Sequence, residues 1–189
     1  MTDEELIQSF YDGDREALSV IFERHKEGVF NFSLRMLANR ADAEDVTSDV
    51  FGRLCGSHGR FSPEARFKTW LYTIARNACL DRIRNRGNWV STWFKKKDSH
   101  EDVQMDFPSQ DPSPSQNLQS KETAHYIRAA IQGLPREQRE ALILREYEDM
   151  SYEEISKILG CSLANVKVLI YRARVSLKNS IPAFVKEGR

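Results

Sequence analysis

The segment from Asp98 to Ser120 constrains the fold more than any other part of this chain. Of its 23 residues, 17 are Ser, Asp, Pro, Gln or Asn, and only Val103, Met105, Phe107 and Leu118 are apolar. Such a stretch cannot bury enough surface to offset the entropy of ordering it. Pro108, Pro112 and Pro114 also oppose a helix there. It reads as a flexible linker, able to span about 75 Å when fully extended. The 189 residues therefore divide into two small domains, 1–97 and 121–189, on either side of 98–120.

Both flanks carry helical periodicity, and no stretch alternates long enough to propose a sheet, so the expected class is all-α. In the first domain Leu18, Ile21, Phe22, His25, Val29, Phe32 and Met36 recur at helical spacing. Asp42 is the expected N-cap of the next helix, with Glu44 and Asp45 in its first turn and Val46, Val50, Phe51 and Leu54 on following turns. Gly56, Gly59 and Ser62-Pro63 interrupt the chain. Phe67, Trp70, Leu71, Ile74 and Ala78 then mark a helix to about Arg86.

In the second domain a helix begins near Lys121 and stops at Gly133-Leu134-Pro135, and the next runs from Arg136 to about Tyr147. Ser151 and Glu154 form a capping box ahead of Ile155, Ile158 and Leu159, and Gly160 ends that helix. After Gly160-Cys161-Ser162 a last helix runs from about Leu163 to Lys178. Helix, tight glycine-containing turn, helix is the helix-turn-helix pattern.

That last helix sorts into stripes. Leu163, Val166, Ile170, Ala173 and Leu177 are its expected buried face. Lys167, Tyr171, Arg174 and Lys178 share a second face, and Asn165, Val168 and Arg172 a third. Set in a DNA major groove, basic groups on such a helix meet phosphates and polar tips meet base edges. The plainer alternative is a solvated helix with cations at its C-terminal end.

Formal net charge is zero, yet residues 1–50 carry −7 and residues 51–100 carry +8. The basic block holds Lys68, Arg76, Arg82, Arg84, Arg86 and Lys95-Lys96-Lys97. Phe61, Phe67, Trp70, Tyr72, Trp89, Trp93 and Phe94 are interleaved with these cations. Cations beside aromatics suit single-stranded nucleic acid, because splayed bases stack while the backbone is neutralised. Trp70, on the apolar stripe, is expected in the core instead.

Nothing in the chain matches a P-loop, a dinucleotide fingerprint, a zinc-protease helix or a nucleophile elbow. The four histidines are scattered, and Asp12-Gly13-Asp14 lacks the rest of a calcium loop. Cys55, Cys79 and Cys161 fit neither a disulfide framework nor a zinc spacing and are expected to be buried small apolar residues. The expectation is a binding protein with no catalytic residues, metal, cofactor or small-molecule substrate. The acidic start Met1-Thr2-Asp3-Glu4-Glu5 is unlike a secretory signal, and no window approaches eighteen apolar residues. A cytoplasmic location is expected.

Several fragments, in order, resemble one family: Asp12-Gly13-Asp14-Arg15-Glu16-Ala17-Leu18, Asp42-Ala43-Glu44-Asp45-Val46, Asp49-Val50-Phe51, Phe67-Lys68-Thr69-Trp70-Leu71-Tyr72-Thr73-Ile74-Ala75-Arg76-Asn77, Leu134-Pro135, Leu144-Arg145-Glu146, Ser151-Tyr152-Glu153-Glu154-Ile155 and Tyr171-Arg172-Ala173-Arg174. Together they resemble the bacterial RNA polymerase sigma factors of the sigma-70 family, extracytoplasmic-function group. The resemblance implies that 1–97 is region 2, with Asp42, Glu44, Asp45, Asp49, Val50, Phe51 and Leu54 gripping the coiled coil of the largest core RNA polymerase subunit. It implies that Arg60, Phe61, Lys68, Arg76, Asn77, Arg82 and Arg84 recognise the −10 promoter element as opened single strand. A flipped base there costs a few kcal/mol of unstacking that a pocket must offset. Region 4, 121–189, would read the −35 element as duplex through Asn165, Lys167, Val168, Tyr171, Arg172, Arg174 and Lys178, and dock on the polymerase flap.

An anti-sigma factor is a further partner implied by the resemblance. Val168 and Leu169 stand where members often carry small polar or basic residues, shifting weight to shape and phosphate contacts. Ser48 stands where glutamine is common. Two other readings stay open at this level: an autonomous helix-turn-helix regulator of duplex DNA, and an adaptor that contacts proteins alone.

Overall fold

The computed structural model describes residues 1–56, 61, 66–93 and 117–181, with the backbone alone for 87–93 and 117–122. Helices occupy these residues, and none of them is in a strand. The chain splits into two compact units, Met1–Asp106 and Phe107–Arg189.

The first unit contains α1 (Asp3–Tyr11), α2 (Arg15–Leu37), α3 (Arg40–Cys55) and α4 (Phe67–Trp93). Helix α1 is absent from the periodicity reading, although its start signal is in the sequence. Thr2 and Glu5 form a capping box, with the Glu5 amide donating to Thr2 Oγ1 at 3.2 Å and the Thr2 amide to Glu5 Oε2 at 2.8 Å. Leu6, Ile7 and Phe10 then turn inward. Gly13 has φ +108°, which lets the chain reverse before Asp14 caps α2.

The N-cap of α3 is Asn39, not Asp42. Asn39 is extended, and its Oδ1 accepts from the Asp42 amide at 2.9 Å. Asp42 therefore sits three residues inside the helix, near its positive end. The core gathers Ile7, Ile21, Phe32, Val50, Leu54, Phe67 and Leu71, each fully enclosed. Tyr72 belongs there too, with its ring edge-on to Phe32 at 5.4 Å.

The second unit contains α5 (Asn117–Gln132), α6 (Arg136–Glu146), α7 (Tyr152–Leu159) and α8 (Leu163–Ser180). Half-buried Arg139 ties α5 to α6. It donates to the Gln132 carbonyl at 2.7 Å, the Leu134 carbonyl at 3.1 Å and Gln132 Oε1 at 2.8 Å. Burial pulls its pKa below the ordinary arginine value, against the raising influence of Glu140.

Helix α7 has the expected box, with the Ser151 amide 2.8 Å from Glu154 Oε2 and the Glu154 amide 3.2 Å from Ser151 Oγ. It ends on Gly160 at φ +66°, a left-handed turn that glycine adopts without strain. Ser156 Oγ donates to the Cys161 carbonyl at 2.5 Å, and Ser162 caps α8. The turn between α7 and α8 is thus pinned from both sides.

Four expectations need correction. Leu169 is buried on α8, whereas Leu163, in the first turn, is 36 % exposed. Phe22 is exposed on α2 rather than packed with Ile21. Of the cysteines, Cys79 is buried, Cys161 half-buried and Cys55 exposed. Helix α4 runs past Arg86 to Trp93, and α5 starts at Asn117, inside the expected linker. Arg60, Ser62-Pro63, Phe94, Lys95-Lys96-Lys97, residues 98–116 and the side chains of Trp89 and Trp93 lie outside the described residues.

Candidate nucleic-acid interface

In the second unit, Val166, Leu169, Ile170 and Ala173 anchor α8 in the core. That orientation exposes every α8 residue expected to meet duplex: Asn165, Lys167, Val168, Tyr171, Arg172, Arg174 and Lys178. Tyr171 is 69 % exposed. An aromatic ring so placed keeps a large apolar area and a polar tip available to whatever packs against it. The cations on this face differ in one respect that the sequence does not reveal. Arg174 donates through Nε and Nη2 to Glu146 Oε1, at 3.1 and 2.5 Å. Hydrogen bonding to Glu146 raises the Arg174 pKa further above its ordinary value, burial opposing slightly.

In the first unit the expected polymerase-facing residues separate. Glu44, Asp45 and Asp49 are exposed on α3. Val50 and Leu54 are fully enclosed and Phe51 is 7 % exposed, so the first two support the helix from beneath rather than meet a partner. Phe51 packs edge-on against Phe22 at 4.8 Å. Together with Leu18, Ser19, Glu23, Gly52 and Cys55 they line a groove of about 380 Å³.

Asp42 is only 16 % exposed and is paired with Arg86, with Arg82 Nε at 3.4 Å. Arg82 also pairs with Asp45. The carboxylates of α3 are thus joined to cations of α4.

The expected strand-binding residues also differ among themselves. Lys68 is half-buried, with its ammonium 5.7 Å from the Tyr72 ring. Arg76 is half-buried, Asn77 exposed, and exposed Arg84 lies 3.4 Å from Asp81. Phe61 is 7 % exposed, against Phe67 at 5.9 Å and Trp70 at 5.4 Å. Tyr72 and Phe67 are core residues and cannot stack on bases. Trp70, expected in the core, is only half-buried, with its ring 5.4 Å from Phe61 and 6.0 Å from Phe67. Glu146, Arg86 and Phe22 take part in these surfaces although spacing alone does not assign them there.

With this geometry in view, two family models match the chain. The model described as Sigma-70 region 2 matches residues 21–88, and that described as Sigma-70, region 4 matches residues 124–177. The RNA polymerase sigma-H factor of Pseudomonas aeruginosa is 27 % identical over 98 % of this chain and 97 % of its own length. The RNA polymerase sigma factor CarQ of Myxococcus xanthus is 31 % identical over 91 % of this chain and 93 % of its own. Among solved structures, the sigma factor RpoE, in complex with the anti-sigma factor NepR from Bartonella quintana, matches with a TM-score of 0.69 and 25 % identity. That match covers 86 % of this chain and 94 % of the other.

Proposed function

Because the chain belongs to the sigma-70 family of RNA polymerase sigma factors, in its extracytoplasmic-function group, we propose a residue-level division of labour between its two units. Residues 1–97 bind core RNA polymerase and the −10 element, and 121–189 bind the −35 element. Glu44, Asp45 and Asp49 of α3 meet basic residues of the polymerase coiled coil. Val50, Phe51 and Leu54 hold that helix in place. Lys68, Arg76, Asn77 and Arg84 line the path of the opened strand.

On α8, Lys167, Arg172, Lys178 and, once it leaves Glu146, Arg174 meet phosphates, while Asn165 and Tyr171 reach base edges. An anti-sigma factor is a further partner, a reading supported by the similarity to RpoE, which was solved in complex with the anti-sigma factor NepR. No described helix is long and apolar enough to cross a membrane. Action in the cytoplasm follows from the partner, core RNA polymerase. Synthesis itself is left to the polymerase.

The single observation that supports this reading best is the exposure of the whole α8 polar face above a buried Val166, Leu169, Ile170 and Ala173. The first unit, which matches region 2, disfavours an autonomous duplex-binding regulator, which would leave that unit without a task. Run-off transcription with purified core polymerase tests the reading. Product that requires this chain and a promoter supports it. Specific operator binding without polymerase, and no initiation with it, rejects it in favour of the autonomous regulator.

A further inference from the structure

Helix α1 lies outside the stretch that matches region 2, which begins at residue 21. Its place in the unit is nevertheless tightly determined. Asp3 Oδ1 accepts from Arg24 at 2.9 Å, and Asp3 Oδ2 lies 2.7 Å from His25 Nε2. Arg24 also donates to the Met1 carbonyl at 3.2 Å. Leu6, Ile7 and Phe10 bury the other face of α1. The next residue along, Glu4, points to a different element. Its Oε1 accepts from the Phe67 amide at 2.9 Å, across 63 residues of sequence.

Phe67 is the first residue of α4. The first amides of a helix have no partner within it, and a carboxylate there also opposes the positive end of the helix dipole. Glu4 therefore caps α4 from a distance. The cap lies beside the proposed strand-binding residues. Lys68 follows Phe67 directly, and the Phe67 ring touches Phe61 at 5.9 Å, Trp70 at 6.0 Å and His25 at 5.4 Å. A shift of the first turn of α4 moves Lys68 and Trp70 and changes the packing of Phe67 on Phe61 and His25.

We propose that Glu4 is a positioning residue for capture of the opened −10 strand: by capping α4 from α1 it fixes the direction of Lys68 and the packing of Phe61. This inference rests on the proposed role of α4 in strand binding. It extends the functional unit to a helix outside the region 2 match. Asp3 holds α1 to α2, and Glu4 transmits that anchorage to α4.

The test uses holoenzyme, full-length chain with core polymerase, and a fluorescent single-stranded oligonucleotide spanning the −10 element. Glu4→Ala removes the acceptor, and Glu4→Gln keeps an acceptor oxygen without the charge. With Glu4→Ala, oligonucleotide affinity falls about fivefold, the usual size of a lost helix cap. Polymerase recovery in a pull-down stays at the wild-type level. Glu4→Gln restores most of the affinity. Should Glu4→Ala fail to fold, Glu4→Asp, which withdraws the carboxylate by one methylene, takes its place with the same expectation.

Affinity equal to wild type in the Ala or Asp variant overturns the proposal. So does a parallel fall in polymerase recovery and oligonucleotide affinity, which marks general destabilisation. Wild-type holoenzyme that gives no run-off product removes the sigma-factor reading itself, and is told apart because no variant is then involved.

Discussion

Glu146→Gln is expected to strengthen duplex binding. Glu146 is the last residue of α6, where a carboxylate faces the negative end of the helix dipole. What holds it there is Arg174, at 2.5 Å. The pair is open to water, with side-chain exposures of 54 % for Arg174 and 42 % for Glu146. A pair so exposed contributes about 0–1 kcal/mol. For Arg174 to reach a phosphate it must leave Glu146, and the released carboxylate then faces the same polyanion. Removing the carboxylate removes both costs, for a gain of about two- to fivefold in affinity. Arg174→Ala should lower the salt slope of binding by about 0.9, one phosphate contact.

The assay is fluorescence anisotropy of the full-length chain on duplex DNA across a salt series. Phosphate contacts do not depend on sequence, so one duplex serves all variants. The Gln gain shrinks as salt rises and screens the original pair. In the Arg174→Ala background the gain becomes smaller, because only the repulsion between the Glu146 carboxylate and the polyanion is left to remove. Because the Arg174 pKa is displaced upward, the guanidinium stays charged and the effect is flat across neutral pH. A Gln gain as large without Arg174 as with it, or an unchanged salt slope in Arg174→Ala, refutes the reasoning.

Asp49→Ala removes an exposed α3 carboxylate and should reduce polymerase recovery in a pull-down, with thermal stability within about 0.5 kcal/mol of wild type. Leu54→Ala, in a fully enclosed site, should cost about 2–5 kcal/mol in urea unfolding, so any lost polymerase binding tracks lost folding. Ser151→Ala deletes half of the α7 capping box and should destabilise the second unit by about 1 kcal/mol, read as a lower urea midpoint.

What the sequence makes legible here is local. Ser151, Glu154, Gly160 and Ser162 act on amides and carbonyls within a few residues, so the order of residues alone specifies the α7–α8 turn. The same chemistry marks α1 at Thr2 and Glu5, ahead of Leu6, Ile7 and Phe10 at helical spacing, so α1 carries the same kind of signal as the shorter α7. Asn39 and Asp42 are both good caps, and only backbone geometry distinguishes them. On α8 the spacing allows either Leu163 or Leu169 to complete the buried stripe; position along the helix decides, because the first turn extends beyond the packed region. The pairs Glu4 to Phe67, Asp45 to Arg82 and Glu146 to Arg174 span 63, 37 and 28 residues. No periodicity encodes such distances; the packing of helices creates them.

The charge asymmetry acquires a different meaning once α3 and α4 are adjacent. Along the sequence, −7 in residues 1–50 and +8 in 51–100 look like two surfaces for two partners. In space, Asp42 and Asp45 of α3 are already joined to Arg82 and Arg86 of α4. Part of each charge excess is therefore consumed inside the unit. Removing Asp42 would release Arg86 and leave Arg82 to Asp45 alone, so a change in the α3 surface and a gain of DNA attraction by α4 would appear together. Asp42 and Arg82 consequently cannot assign either surface by single substitution. Asp49, exposed on α3 and in none of these pairs with Arg82 or Arg86, isolates the polymerase contribution, and that proposed role stands or falls on it.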